Sequence, residues 1–498
     1  MEQITPNIIF ILADDLGPWA LGYAGNNEIR TPNIDRLAGE GLILNNFFCT
    51  SPVCSPARAS ILTGRIPSQH GVHDWIRMGN IRDSERGDTI QPIEYLTGQP
   101  GYTDLLSKAG YTCGMCGKWH LGDSARIQKG FSSWKVHASG GGPYYNAPLV
   151  SESGSVYRDP KYVTEIFTDW ALEFLKNQSG QKNPFYLSVH YTAPHSPWSK
   201  ENHPEDIWED YYSNCPFESA PVEPVHPWKT ESLPYVTGEK RREVLAGYYT
   251  AVTAMDREIG RILNYLDDTG LSENTIVIFT GDNGMNMGHH GIYGKGNGTF
   301  PMNMYDTSVK VPFSVRFPGR IGPGTENNSL LSQYDVFPTL LETAGIDNPY
   351  ADYLPGSSFA PLLQGKKQPE REAVVVFDEY GPVRMIREKE WKYIHRYPYG
   401  PHELYNISRD PDERNNLIRD REYRSEIHRL RHRLDTWFLR YTDPGVDGSR
   451  EGVTGQGQTG PAGPRGGGKN VWVSRPITFT TPDGSKPASA YSPFSEDV

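Results

Sequence analysis

The chain is 498 residues long, past the size at which one hydrophobic core stops growing, so a large domain with a smaller one appended is expected. Hydrophobic residues make up 37% and charged residues 22%, a balance that excludes a disordered chain, and no apolar run is long enough to span a bilayer. The net charge of −11 excludes a general nucleic-acid or heparin-type binder, so an anionic substrate would have to be held by local cations.

Met1–Thr5 carries neither the basic nor the apolar run of a secretory signal, which predicts a cytoplasmic protein or one whose export signal has been removed. Asn7–Ala13 reads as a buried strand that runs into Asp14-Asp15. Ile34–Glu40 reads as a helix after a Thr31-Pro32 start, and Ala57–Thr63 as a helix with Pro56 at a first-turn position. Tyr102–Ala109 predicts a short helix leading to a strand near Tyr111–Cys116, which runs on to Lys118 and His120. The apolar residues of Tyr162–Asn177 recur at helical spacing. Phe185–His190, Thr275–Thr280 and Val311–Val315 have strand length and composition, with a long helix over Glu239–Asp267. This alternation predicts an α/β fold, a large and mostly parallel sheet sandwiched by helices, over residues 1–368.

After about Gln368 the pattern changes. Val374–Phe377, Val383–Arg387 and Trp391–His395 sit at hairpin spacing, followed by an amphipathic helix over Arg424–Tyr441, which predicts a small α+β subdomain with a short antiparallel sheet over 369–443. Residues 444–498 form a Gly-rich tail. Gly452–Gly468 has the composition of a flexible loop, whereas Val471, Trp472, Val473, Ile477 and Phe479 make an apolar cluster that predicts a terminal strand docked on the body. Arg465 or Lys469 is expected to contact substrate from that loop.

In an open α/β sheet the chemistry gathers beyond the carboxyl ends of the strands. Asp14 and Asp15 end the first strand, and Asp282 and Asn283 follow the strand at Thr275–Thr280. These hard oxygen ligands, without histidine, suit Ca²⁺ or Mg²⁺ and not Zn²⁺. Among five cysteines, Cys113 and Cys116 form a lone pair with no second pair to build a zinc ribbon. Cys54 precedes a helix N-terminus, which favours anions. A phosphatase cysteine would need an arginine six positions on, and residue 60 is Ser.

Cys54, Pro56 and Arg58 with Thr63-Gly64-Arg65, joined by Asp14-Asp15, Gly117-Lys118-Trp119-His120, Pro194-His195, Asp282-Asn283-Gly284 and Gly294-Lys295-Gly296, resemble the formylglycine-dependent (type I) sulfatases of the alkaline phosphatase superfamily. Order and spacing match over about the first 345 residues, and Glu403–Asn406 with Asp410–Glu413 is similar to that family's C-terminal subdomain. The resemblance implies an alkaline-phosphatase-like fold and oxidation of Cys54 to formylglycine by a maturation enzyme. The aldehyde's hydrate would attack sulfur, and its second hydroxyl would then lose a proton and expel sulfate. It implies metal ligation by Asp14, Asp15, Asp282, Asn283 and residue 54. Arg58 would orient the hydrate and His120 would act as its base. Lys118, His195 and Lys295 would bind sulfate oxygens, with His195 or Lys295 protonating the leaving oxygen.

The substrate expected is a sulfated carbohydrate, lined by Tyr144, Tyr145, His289 and His290. The alternatives are a phosphonate or phosphodiester hydrolase of the same superfamily, a small aryl or choline sulfatase, and a non-catalytic binder of sulfated glycans. A binder has no need of all six residues Cys54, Arg58, Lys118, His120, His195 and Lys295. A two-zinc phosphatase would require further histidine and aspartate ligands.

Overall fold

The computed structural model describes residues 5–82, 91–231, 233–378 and 382–473 in full, and 477–480 and 487–491 by their backbone. A ten-stranded sheet organises the molecule, in the order Thr325–Asn327, Leu42–Leu44, Phe313–Arg316, Thr275–Gly281, Asn7–Ala13, Phe185–His190, Thr112–Lys118, Ser133–His137, Ala147–Val150 and Val156–Asp159. The five strands from Thr275–Gly281 to Ser133–His137 are parallel. Phe313–Arg316 is antiparallel to both neighbours, and the last two strands form an antiparallel hairpin at the edge.

Asn7–Ala13 is central because its side chains suit burial on both faces. Ile8, Phe10 and Leu12 enter one core with Ile61, Leu62 and Phe337. Ile9, Ile11 and Ala13 enter the other with Phe167 of the helix Val163–Gln178 and Ile259 of the helix Gly238–Asp268. Alternating side chains thus feed two cores, and each fully buried Ile, Leu or Phe contributes roughly 1.5–3 kcal/mol.

Strand register decides where the chemistry gathers. Ala13 pairs with Gly281, Leu12 with His190, and His190 with Gly117, so residues 14, 282, 191 and 118 leave the sheet at one edge. Gly117 has φ of +109°, and a Cβ there would lie 2.0 Å from the His190 carbonyl oxygen, so the close approach admits only glycine.

The C-terminal part holds four antiparallel strands, Ala373–Asp378, Val383–Glu388, Trp391–Arg396 and Glu403–Asn406, the last of which spacing alone did not mark. The helix Arg424–Tyr441 buries Leu430, Leu434 and Phe438 against Val375, Phe377 and Ile386, while Leu439 points to solvent.

From residue 444 the chain runs back across the body as a strap, and Gly452–Gly468 is not a free loop. Val446, Val453, Ala462, Val471 and Trp472 are buried. Gln458 is fully buried, donating to Gly71 O and accepting from the His73 N–H. Arg465 turns inward to the carbonyls of His70 and Tyr95, so it staples the strap and does not face substrate. The backbone of Ile477–Thr480 pairs with Pro487–Tyr491, and the side chains of Ile477 and Phe479 lie outside the described residues.

Candidate active site

The helix Cys54–Thr63 begins at Cys54 itself, three residues earlier than its sequence suggests, because Pro56 suits the first turn and Val53 serves as the extended N-cap. Cys54 therefore stands at the helix N-terminus, at the sheet edge where the four strand ends converge. Asp15 and His120, the residues that turn away from two of those ends, have φ of +61° and +54°. Such left-handed non-glycine backbone costs of order 1–3 kcal/mol and marks functional sites.

Buried charges interlock there. Arg58 Nε donates to Asp282 Oδ2 at 3.0 Å, and its Nη1 donates to the Lys118 carbonyl at 3.1 Å. Lys118 Nζ is paired with Asp14, and Lys295 Nζ with Asp15. Lys295 Nζ also lies 2.8 Å from Cys54 Sγ. Asp282 Oδ1 accepts from the backbone N–H of Asp15 and of Asn283, and Asn283 Nδ2 donates to Asp15 at 2.9 Å.

Burial opposes the charge of Arg58, but Asp282 and Asp14 outweigh it and hold the guanidinium above its usual range. Burial likewise works against the Asp282 carboxylate, and Arg58 and Lys118 bring it below the usual range. Lys295 is desolvated, yet Asp15 and the other acids raise it. The Cys54 thiol is pushed up to about 12 by burial and by Asp14, so as encoded it is neutral. His120 is held well below its ordinary value by burial and then by Lys118. Its Nε2 donates to the Ile76 carbonyl at 3.0 Å, which leaves the buried Nδ1 unprotonated and without a hydrogen-bond partner.

Above these groups opens a pocket of about 400 Å³. Cys54, His120, His195 and Lys295 line it, whereas Arg58 and Lys118 lie behind the lining, almost wholly buried. His195 Nδ1 donates to the Ser196 carbonyl, and its Nε2 is 3.7 Å from Asp15. The walls also include Trp75, Ile76, Arg77, Asn80, Ser139 and Asn297, residues that the sequence motifs did not indicate. The only local signal was an aromatic and a cation two positions apart, close behind the motif helix.

The structure does not bring the four expected substrate contacts to this pocket. Tyr144 is buried, stacks on Tyr162 and donates through its hydroxyl to the His195 carbonyl at 2.7 Å, so it supports the His195 loop from behind. Tyr145 packs on Tyr162, His289 against Trp19, and His290 flat on Tyr305. Each of the four rings packs on an aromatic neighbour and none lines this pocket.

The family model described as Sulfatase matches residues 6–346, and that of the N-sulphoglucosamine sulphohydrolase C-terminal region matches residues 288–438. The chain belongs to the sulfatase family. The N-acetylglucosamine-6-O-sulfatase of Bacteroides thetaiotaomicron is 28% identical, over 90% of this chain and 88% of that protein. An ulvan-active sulfatase of Formosa agariphila is 31% identical, over 87% of this chain and 81% of its own. A solved structure of a protein in complex with its substrate D-glucosamine-2-N,6-O-disulfate superposes with a TM-score of 0.74 at 25% identity, covering 90% of this chain and all of the other. These matches make the chain a sulfuric ester hydrolase with an alkaline-phosphatase-like fold.

Sulfatases employ a metal ion, and the donor set here fits one. Carboxylate oxygens of Asp14, Asp15 and Asp282 lie within 4.8 Å of one another, and Asp14 with Cys54 and His195 forms a second such group. Asp14 Oδ1 and Asn283 Oδ1 are buried without a hydrogen-bond partner, which would be costly unless an electrophile accepted their lone pairs.

Proposed function

We propose that this sulfatase removes a sulfate ester from a sulfated carbohydrate, with Cys54, matured to formylglycine, as its nucleophile and Ca²⁺ or Mg²⁺ as its cation. The observation that carries this reading is Cys54 on the pocket wall, within 2.8 Å of Lys295 and beside three buried carboxylates. The relatives named above act on N-acetylglucosamine sulfate or ulvan or bind a disulfated glucosamine, which supports a sugar. A pocket of about 400 Å³ with Trp75 in its wall has room for one sugar ring.

A hydrated aldehyde at position 54 supplies the oxygen nucleophile, and a cation on Asp14, Asp15, Asp282 and Asn283 supplies positive charge beside it. The side chains do the rest. Lys295 reaches both residue 54 and the pocket, where its ammonium binds a sulfate oxygen. Lys118 acts one layer back, holding Asp14 in place. His195 donates a proton to the alcohol oxygen as the ester O–S bond breaks. His120, neutral and with Nδ1 free, takes the proton whose loss lets residue 54 expel sulfate. Arg58 locks Asp282 and the Lys118 carbonyl, so these groups need no reorganisation during the reaction.

Mass spectrometry of the Cys54 peptide after co-expression with a formylglycine-generating enzyme should show loss of the thiol and gain of an aldehyde. Cys54→Ala should abolish turnover and keep the fold. Substantial turnover by Cys54→Ala would overturn the covalent mechanism.

A further inference from the structure

We propose that Trp75 and Arg77 form an accessory subsite for a second anionic substituent on the sugar, and that the C-terminal strap builds it. The proposal rests on the carbohydrate reading above. Both residues line the pocket, and they flank Ile76 in the chain, whose carbonyl holds the base His120. The Arg77 guanidinium lies 5.5 Å from the Trp75 ring centroid. Among the described residues no carboxylate pairs with it, although every other cation near residue 54 is neutralised by an aspartate. Among the described residues the guanidinium makes one hydrogen bond, from Nη1 to the carbonyl of Gln456, at 3.3 Å, on the strap. A partly exposed arginine held on an aromatic face keeps its remaining N–H donors for a ligand, and its planar fork suits a carboxylate or sulfate.

The strap is fitted closely to this pair. Trp75 Nε1 donates to Gly455 O, the Arg77 N–H to Gln458 O, and the Gln458 N–H to Trp75 O. Gly457 has φ of +113°, and a Cβ there would lie 2.7 Å from Arg77 Cβ and 3.2 Å from the Trp75 ring. Its N–H is accepted by the buried Asp74 carboxylate at 3.0 Å. A bare backbone is thus pressed behind both residues, so the Gly-rich composition of the tail serves contact and not slackness. Trp75 offers a face to the ring and Arg77 meets an acidic group on it, beside the ester under attack.

The test compares matured wild type, Arg77→Gln, Arg77→Lys and Gly457→Ala on three sugars: glucosamine 6-sulfate, glucosamine-2-N,6-O-disulfate, and a uronate-linked glucosamine 6-sulfate disaccharide. The preference in kcat/KM of wild type for either doubly anionic sugar over the monosulfated one should fall about 10–100-fold in Arg77→Gln, the range for losing a charged hydrogen bond. Arg77→Lys should restore part of it. Gly457→Ala, which removes no functional group, should lower the same ratio. A loss confined to the disulfate or to the uronate arm identifies which anion the subsite takes. Equal changes on all three sugars, or none, would overturn the subsite and leave the sulfatase reading standing. Wild type inactive on all three sugars but active on an aryl sulfate would overturn the carbohydrate reading and the subsite with it.

Discussion

Removing the cation should destabilise the protein by an amount that can be worked out. Asp14, Asp15 and Asp282 place carboxylate oxygens within 4.8 Å of one another in the interior. At that distance and an effective dielectric constant of about 20, each pair repels by roughly 3.5 kcal/mol; the ion pairs with Arg58, Lys118 and Lys295 offset this repulsion, but Asp14 Oδ1 and Asn283 Oδ1 stay buried without a partner until a cation meets them. A cation bound to the native state alone adds about 4 kcal/mol when present at about a thousand times its dissociation constant. With 498 residues, the unfolding entropy is about 1 kcal/mol/K, so the melting temperature should rise by about 4 °C. Beyond saturation, each further tenfold of free Ca²⁺ should add about 1.4 °C. Scanning calorimetry of chelated protein titrated with Ca²⁺ gives this slope directly, independent of activity. A melting temperature that stays flat over several decades of Ca²⁺ would refute the site. The same slope in an Asp15→Asn, Asp282→Asn double variant would place the ion elsewhere, and tetrahedral zinc on histidines would refute the ligand assignment.

Three further outcomes follow from single contacts. Gly140→Ala would place a Cβ 2.2 Å from the His120 ring, so it should lower kcat by displacing the base while leaving the melting temperature within about 1–3 °C; an unchanged kcat would refute the role of His120. Gln458→Ala strips partners from Gly71 O, Gly460 O and the His73 N–H, all buried, and should cost about 2–4 kcal/mol in denaturant unfolding and speed proteolysis of the strap. Burial pushes the Asp74 carboxyl up to about 7. Its folded value exceeds its unfolded one, so its contribution is present at low pH and is lost as pH rises from about 4 through about 7; Asp74→Asn should flatten that part of the stability profile measured by denaturant melts.

The strand ends were legible in the sequence because parallel strands buried on both faces read as unbroken apolar runs, and the first polar residue after each run marks the edge of the sheet. That is why Asp14, Lys118, His195 and Asp282 could be gathered before any coordinates. Direction was not legible in the same way. Val311–Val315 is as apolar as its parallel neighbours, and nothing in its side chains encodes that the observed Phe313–Arg316 strand runs antiparallel. The pocket walls were also hidden, since Trp75, Arg77 and Ser139 come from loops with no periodicity. Tyr144, His289 and His290 lie outside the lining of this pocket. An aromatic or histidine near a motif looks like a ligand contact, yet Tyr144 is stacked on Tyr162 and His290 on Tyr305. In the tail, composition pointed towards slackness, whereas Gly457 shows glycine used for close packing against Arg77.

Charge balance ties the site to its reaction. Asp14, Asp15 and Asp282 are matched by Arg58, Lys118 and Lys295, so the buried cluster is electrically even before a dication is counted. With one, the pocket floor carries an excess of about two positive charges. A sulfate monoester brings a single negative charge, and a second develops as the ester O–S bond breaks. The excess is therefore larger than the ground state needs and equal to what the departing groups present, which is the differential binding that lowers a barrier. Burial and Lys118 keep His120 neutral, with its proton committed to the Ile76 carbonyl, so the residue best placed to accept a proton adds no charge until it does so.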